Sequence, residues 1–231
     1  MAAIPTARNG GILMRRISKK FTQWFLQPII SRRISRASEY TYNGITLHIP
    51  AGVFHPKYFF STKYLLKQLT TLPLQGKTFL ELGAGNGLIS ISAAKHGAQV
   101  TASDISDLVV KTLVQNALDN NVKINIIKSD LFQQIPKQTF DIIAINPPYY
   151  PKQARNDLEK AWYCGVNFEY FYALFREIKD YMTTSSIVLM VLSDGCDIQG
   201  ITTIANKNGL KLALYHQQQI WWEREFIFRI L

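Results

Sequence analysis

At 231 residues, 47% of them apolar, the chain is long enough to bury a full core without disulfide or metal staples. Its 26 basic residues against 16 acidic give a net charge of +10, which favours an anionic partner and says nothing about fold. Two widely separated cysteines, Cys164 and Cys196, exclude a disulfide framework and show no metal-ligand spacing, and the four histidines are scattered singly. The cysteines read as reduced thiols of a cytoplasmic protein.

Residues 1–36 read as a basic arm. Residues 1–13 are expected to be disordered, with Met14 as an alternative start. Ile17, Phe21, Trp24 and Phe25 then fall at helical spacing among Arg15, Arg16, Lys19, Lys20, Arg32, Arg33 and Arg36, with Arg8 further out. This predicts a short amphipathic helix. It either offers its charges to RNA or anionic lipid or packs Trp24 and Phe25 on the domain; packing is the preferred reading. Residues 21–30 are broken by Thr22, Gln23, Gln27 and Pro28, and no small-residue cleavage site follows, so export is rejected. No stretch is long and apolar enough to predict a transmembrane span.

Residues 37–231 read as one domain without repeats. Residues 40–48 alternate around Asn43-Gly44, the two-residue signal of a hairpin. Ser61 is placed to cap a helix running to Leu69. Thr78–Leu82 reads as a buried strand, Gly83, Gly85 and Gly87 as a flexible turn, and Leu88–Lys95 as a helix. Strand, glycine turn and helix N-terminus converge free N–H groups and a positive dipole end at one point. A dinucleotide fingerprint would need glycine where Leu88 stands, and no Gly-Lys-Ser/Thr follows to make a Walker loop.

A second strand over 99–103 ends in Asp104, nineteen positions after Gly85. That matches the roughly 20 residues at which a carboxylate reaches ribose hydroxyls. A third, over 124–127, leads to Ser129-Asp130-Leu131-Phe132. A fourth, from Asp141, ends in Asn146-Pro147-Pro148-Tyr149. Two prolines cannot donate to a ladder and fix an extended backbone. They leave an amide and an aromatic ring at the carboxyl edge, where open α/β sheets bind ligands. The ring offers a stacking face and the Asn oxygen accepts from an N–H₂ group. Each Asp alone reads as a turn residue. Four consecutive strands ending this way make a nucleoside site the stronger reading. A helix over 166–182, a strand over 186–192, a helix over 197–208 and strands over 211–215 and 226–231 follow, with Trp221-Trp222 as edge packing. The alternation implies a mostly parallel, doubly wound sheet.

With these residues in this order, the chain resembles the class I S-adenosylmethionine-dependent methyltransferases. Glu81-Leu82-Gly83-Ala84-Gly85-Asn86-Gly87 matches the first motif of that family, and Asp104, Asp130 and the Asn-Pro-Pro-Tyr run follow at its spacing. The resemblance implies an α/β fold: a doubly wound, Rossmann-like sheet of seven strands, mostly parallel, with a C-terminal antiparallel hairpin strand. It implies S-adenosyl-L-methionine as cofactor. Glu81, Gly83, Gly85 and Gly87 would hold the methionine part, Asp104 the ribose, and Asp130 with Leu131 or Phe132 would border the adenine. Asn146, Pro147 and Tyr149 would form the catalytic set, with Asn146 also bordering the cofactor.

The Asn-Pro-Pro-Tyr form is similar to that of enzymes methylating planar nitrogens, both HemK-type protein-glutamine methyltransferases and exocyclic-amine methyltransferases of RNA and DNA. Residues 161–168 resemble the Ala-Trp-x-Gly-Gly-x-Asn-Gly stretch of HemK-type enzymes lacking a separate helical N-terminal domain, but Cys164 and Phe168 replace glycines. Pro50-Ala51-Gly52-Val53-Phe54 resembles the entry segment of rRNA guanine methyltransferases with a small methyltransferase domain. Lys57, Tyr58, Phe59 and Phe60 stand where an acid usually follows, so that acid's gating role is not carried over. The expected acceptor is a glutamine amide in a protein, release factors being what the resemblance implies. The alternative is the exocyclic amine of adenine or guanine in rRNA or tRNA, toward which the +10 charge leans. The resemblance also implies a possible helper subunit. A non-catalytic nucleoside-binding module and a NAD-linked oxidoreductase are further readings, disfavoured by the intact Asn-Pro-Pro-Tyr and by the glycine spacing.

Overall fold

The computed structural model describes residues 36–58, 60–157, 159–220 and 223–231. The expected arm helix, Phe59 and the Trp221-Trp222 pair lie outside the described residues. β1 (Ser38–Tyr42) and β2 (Ile45–Ile49) pair antiparallel as a separate hairpin. Asn43 and Gly44 turn it with φ of 48° and 73°, the two positive values that a tight two-residue turn requires.

The main sheet holds β3 (Thr78–Leu82), β4 (Gln99–Asp104), β5 (Asn125–Lys128), β6 (Ile142–Ile145), β7 (Ile187–Ser193), β8 (Leu212–Ile220) and β9 (Glu223–Ile230). Their order is β5-β4-β3-β6-β7-β9-β8. Neighbours from β5 to β7 run parallel, and β9 inserts antiparallel between β7 and β8, as the resemblance implied. Among the described residues, five α-helices accompany the strands: α1 (Phe60–Leu69), α2 (Leu88–Lys95), α3 (Asp107–Asp119), α4 (Glu169–Glu177) and α5 (Ile198–Lys207).

The central strands are apolar because both sheet faces are buried. In β3, Phe79 joins the core on one face while Leu80 and Leu82 join the other; in β7, Leu189 and Val191 alternate with Val188, Met190 and Leu192 in the same way. Four elements depart from the sequence pattern. Ser61, expected as a cap, lies inside α1. The helix expected over 166–182 is α4, followed by a 3-10 turn at Ile178–Tyr181. α3 carries no clean periodicity because Leu108, Val114 and Leu118 are apolar yet exposed beside the buried Val109 and Leu113. β8 extends to Ile220 through three glutamines on an exposed strand, where ladder bonds to β9 rather than burial hold the chain extended.

The hairpin is fastened to α3 by two amide side chains one turn apart. Asn116 accepts from the His48 N–H (2.8 Å) and donates to the His48 carbonyl (3.0 Å) and to the Asn86 carbonyl (2.9 Å). Asn120 repeats the pairing with Thr46, accepting from its N–H (3.1 Å) and donating to its carbonyl (2.6 Å). These two amides act as a substitute strand along β2. Asn116 is fully buried, so truncation strands its backbone partners. Asn116→Ala is expected to destabilise the fold by about 2–4 kcal/mol, read by denaturant unfolding. A loss within about 0.5 kcal/mol, the size of an ordinary surface change, would contradict this role.

Candidate active site

The chain steps outward from β3 through β4 to β5, then returns to the other side of β3 with β6, so β3 and β6 flank the switch point of the sheet. Leu82 and Ile145 are register partners, and Gly83 and Asn146 leave the sheet side by side at its carboxyl edge. A cavity of about 470 Å³ opens there, a size suited to one small ligand.

On the β3 side, Gly83 (φ 69°) and Gly85 (φ 54°) turn the chain in the left-handed region, and an added Cβ at either would meet nothing within 4 Å. The loop thus opens onto free space beside the α2 N-terminus. Gly87 differs. A Cβ there would lie 2.1 Å from Leu113 Cδ1, so this glycine lets the loop close against α3, and it does not line the cavity.

Glu81 is buried at the root of the loop. Its Oε2 accepts from both the N–H (2.8 Å) and the hydroxyl of Ser90, capping the first turn of α2, and its remaining oxygen has no described partner. Burial pushes this carboxyl up to about 8, against the lowering pull of the Ser90 bonds and with a further rise from Asp104. Asp104, at the end of β4, accepts from Gly85 N–H (3.1 Å) on one oxygen and Ser106 N–H (3.0 Å) on the other. Burial raises it too, opposed by the N–H groups of Ser106, Gly85 and Ile105.

Asp130 is exposed, and its N–H donates to Gln134 Oε1 (3.2 Å). Leu131 turns at φ 48°, held by Ser129 Oγ donating to its carbonyl (2.7 Å). That conformation in a bulky residue costs roughly 1–3 kcal/mol and marks a held turn. Both residues line the cavity. Phe132 does not; it is buried and stacked on Tyr181 at 4.3 Å. Of the two candidates beside Asp130, Leu131 is the one on the cavity wall.

On the β6 side, Asn146, Pro147 and Tyr149 all line the cavity. Asn146 Nδ2 donates to Thr62 Oγ1 of α1 (3.0 Å). Its amide oxygen has no donor among the described residues and is not sealed from solvent. Tyr149 packs against the core, its ring 4.8 Å from that of Tyr150. Burial holds its hydroxyl well above the ordinary value.

Residues 150–170 fold back over this elbow. Tyr150 N–H donates to the Trp162 carbonyl (3.1 Å), Cys164 N–H to the Tyr150 carbonyl (3.0 Å), and Tyr170 N–H to the Cys164 carbonyl (3.0 Å). The Trp162 ring reaches within 5.2 Å of Phe54, whose carbonyl accepts from Asn86 Nδ2 (2.9 Å). Phe168 keeps φ at 63°, so the backbone retains a left-handed turn where glycine was expected. Three contributors to the site were not singled out from the sequence: Thr62, Asn86 and Trp162 as a partner of Phe54. Thr62 carries no motif signal, and Asn86, though inside the first motif, looks like any turn residue until its partner is known.

The donor set suits a ligand with a cationic amino-acid tail and a diol. Glu81 offers a carboxylate oxygen to a cation, and Asp104, with both oxygens already oriented by N–H groups, offers lone pairs to hydroxyls. Six carboxylates line the cavity against two cations, and Lys160 and Arg176 are paired with Asp157 (3.1 Å) and Glu177 (2.9 Å). If Asp104 takes a ligand's hydroxyls, Asp104→Ala should weaken ligand binding at least tenfold in calorimetry, one lost charged hydrogen-bonding group. Unchanged affinity would refute the assignment.

A family model described as methyltransferase small domain matches residues 44–162. The chain is 41% identical over 109 residues to a Methanocaldococcus jannaschii protein provisionally named a protein N5-glutamine methyltransferase, covering 47% of this chain and 53% of that protein. It is 34% identical over 122 residues to the release factor glutamine methyltransferase of Flavobacterium psychrophilum, covering 51% and 42%. The chain thus spans about half, or less, of the length of the curated relatives it matches. A methyltransferase structure from Pyrococcus furiosus superposes with a TM-score of 0.60 at 20% identity, over 90% of this chain and 98% of that one. A 16S rRNA methyltransferase of T. thermophilus, solved with AdoMet and guanosine, gives 0.62 at 20% identity over 84% and 50%. At such identities the likeness is one of fold.

Proposed function

Given that the chain belongs to the methyltransferase small-domain family, whose methyl donor is S-adenosyl-L-methionine, we propose that it methylates the side-chain amide nitrogen of a glutamine in a protein. The observation that carries this reading is the amide oxygen of Asn146, without a donor among the described residues, on a cavity that Pro147 also lines at the carboxyl end of β6. When bound, the donor supplies an electrophilic methyl group on a sulfonium. A glutamine amide is a poor nucleophile because its nitrogen lone pair is delocalised into the carbonyl. Asn146 Oδ1 and the Pro147 oxygen accept one N–H each, turning the lone pair toward the donor and stabilising positive charge as it builds on nitrogen. Tyr149 stacks on the planar amide. The chemistry is alignment, and no ionised base is required.

Glu81 and the Gly83–Gly85 turn hold the methionine end of the donor in this reading, Asp104 holds the ribose, and Asp130 and Leu131 flank the adenine. The hydrogen bonds to Asp104 and the open space above the glycines support that fit.

Charge distribution favours a protein over a nucleic acid at this cavity. Seven of the 26 basic residues and none of the 16 acids fall in residues 1–35, which leaves only +3 for residues 36–231. The cavity wall itself is acidic. A phosphate backbone would meet repulsion there, whereas a neutral glutamine would not. Base amines in rRNA or tRNA form the second reading, supported by the basic residues of the arm. No described helix is long and apolar enough to cross a membrane.

Labelled methyl donor incubated with ribosome-depleted and RNA-depleted lysates separates the two. The proposal predicts label in protein, resistant to nuclease and recovered on glutamine after proteolysis. Nuclease-sensitive label would overturn it. Loss of all transfer on separating protein fractions, restored by one of them, would identify a helper subunit.

A further inference from the structure

The orientation of Asn146 depends on one contact from outside its own loop. The side-chain amide of asparagine rotates in a broad, two-fold well, and a half-turn exchanges oxygen for N–H₂. Pro147 and Pro148 follow directly and have no N–H with which to hold that oxygen in place. A half-turned Asn146 would point N–H₂ at an acceptor that itself presents N–H₂, donor against donor. The described contact that holds the amide from outside the loop is the 3.0 Å hydrogen bond from Nδ2 to Thr62 Oγ1, across 84 positions of sequence; it fixes the plane of the amide.

We propose that Thr62 is a positioning residue for methyl transfer, holding the plane of the Asn146 amide at the angle the acceptor nitrogen meets. This rests on the role given to Asn146 above. Thr62 is buried on α1, and the helix around it is anchored in the core by Tyr64, Leu65, Leu66 and Leu69. A β-branched side chain in a helix has few χ1 choices, so its oxygen is presented from a fixed point. Thr62 touches no reacting atom. It acts by holding the amide plane of Asn146 and leaving Oδ1 toward the cavity.

The tests are Thr62→Val, which keeps shape and removes the hydroxyl, and Thr62→Ser, which keeps the hydroxyl. Thr62→Val is expected to lower kcat by about tenfold to hundredfold, the scale of a small misalignment. Acceptor KM and donor affinity should stay within about twofold, the pattern of a contribution made only at the transition state. Thr62→Ser should recover most of kcat. Heteronuclear NMR gives a readout free of turnover: the Asn146 side-chain N–H₂ resonances, assigned by their loss in Asn146→Ala, should move in Thr62→Val and return in Thr62→Ser. Wild-type turnover in Thr62→Val, equal losses in both variants, or unmoved amide resonances would each overturn the proposal. If the wild-type chain methylates nothing, the functional reading fails, while the amide resonances still decide whether Thr62 holds Asn146.

Discussion

Asn146→Ala is expected to reduce kcat by about 10²–10³-fold, the loss measured when one preorganised group facing developing charge is removed. Donor affinity should change by less than about threefold. The reasoning is geometric. Asn146 lines the cavity and its oxygen has no donor among the described residues, while its nitrogen is spent on Thr62. The oxygen is therefore available to an acceptor N–H. Alanine leaves the two prolines and the turn intact, so the fold should keep its unfolding midpoint. Single-turnover methyl transfer separates this from a binding defect, and calorimetry with the donor supplies the control. Full turnover in the variant would remove Asn146 from the mechanism.

For Glu81→Gln, opposite effects on stability and on ligand binding are expected. Burial has raised the Glu81 carboxyl to about 8, so the folded chain holds a proton that the unfolded chain releases above its ordinary value of about 4.5. The sign follows from linkage: stability from this group falls as pH rises between those two values and is level above the higher one. Glutamine keeps an oxygen to cap the Ser90 N–H and carries no charge to desolvate. The variant should therefore melt higher than wild type, by a margin on the order of a few kcal/mol that grows from pH 5 to pH 8. Donor binding should weaken by about 10- to 100-fold, since the cationic amino group loses its carboxylate partner. Near pH 7 the wild-type chain should also release a proton on binding the donor, read by calorimetry in buffers of different ionisation enthalpy, and the variant should release less. A pH-independent difference in melting, or unchanged affinity, would show that Glu81 is only a helix cap.

The division of labour in this site has a physical basis in what a linear pattern can carry. The β3 turn and the β6 elbow were legible because their residues act through backbone rules: glycine where φ must be positive, proline where a ladder must stop. Asp104 was legible through its spacing from Gly85. Gly87 was legible as a glycine and not as a role, since only the position of Leu113 reveals that its missing Cβ serves close packing. Phe132 and Leu131 were indistinguishable until the turn directed one inward against Tyr181 and left the other on the cavity.

The amino-acid order by itself determined the strand succession, the hairpin at Asn43-Gly44 and the chemistry gathered at one sheet edge, because each follows from local dihedral preference and short-range periodicity. Tertiary structure alone decided which end of the Asn146 amide is free, which carboxyl burial pushes upward, and how Asn116 and Asn120 bind β2. Those outcomes arise from contacts made by residues far apart in the chain, and from burial, and neither quantity exists until the chain has folded.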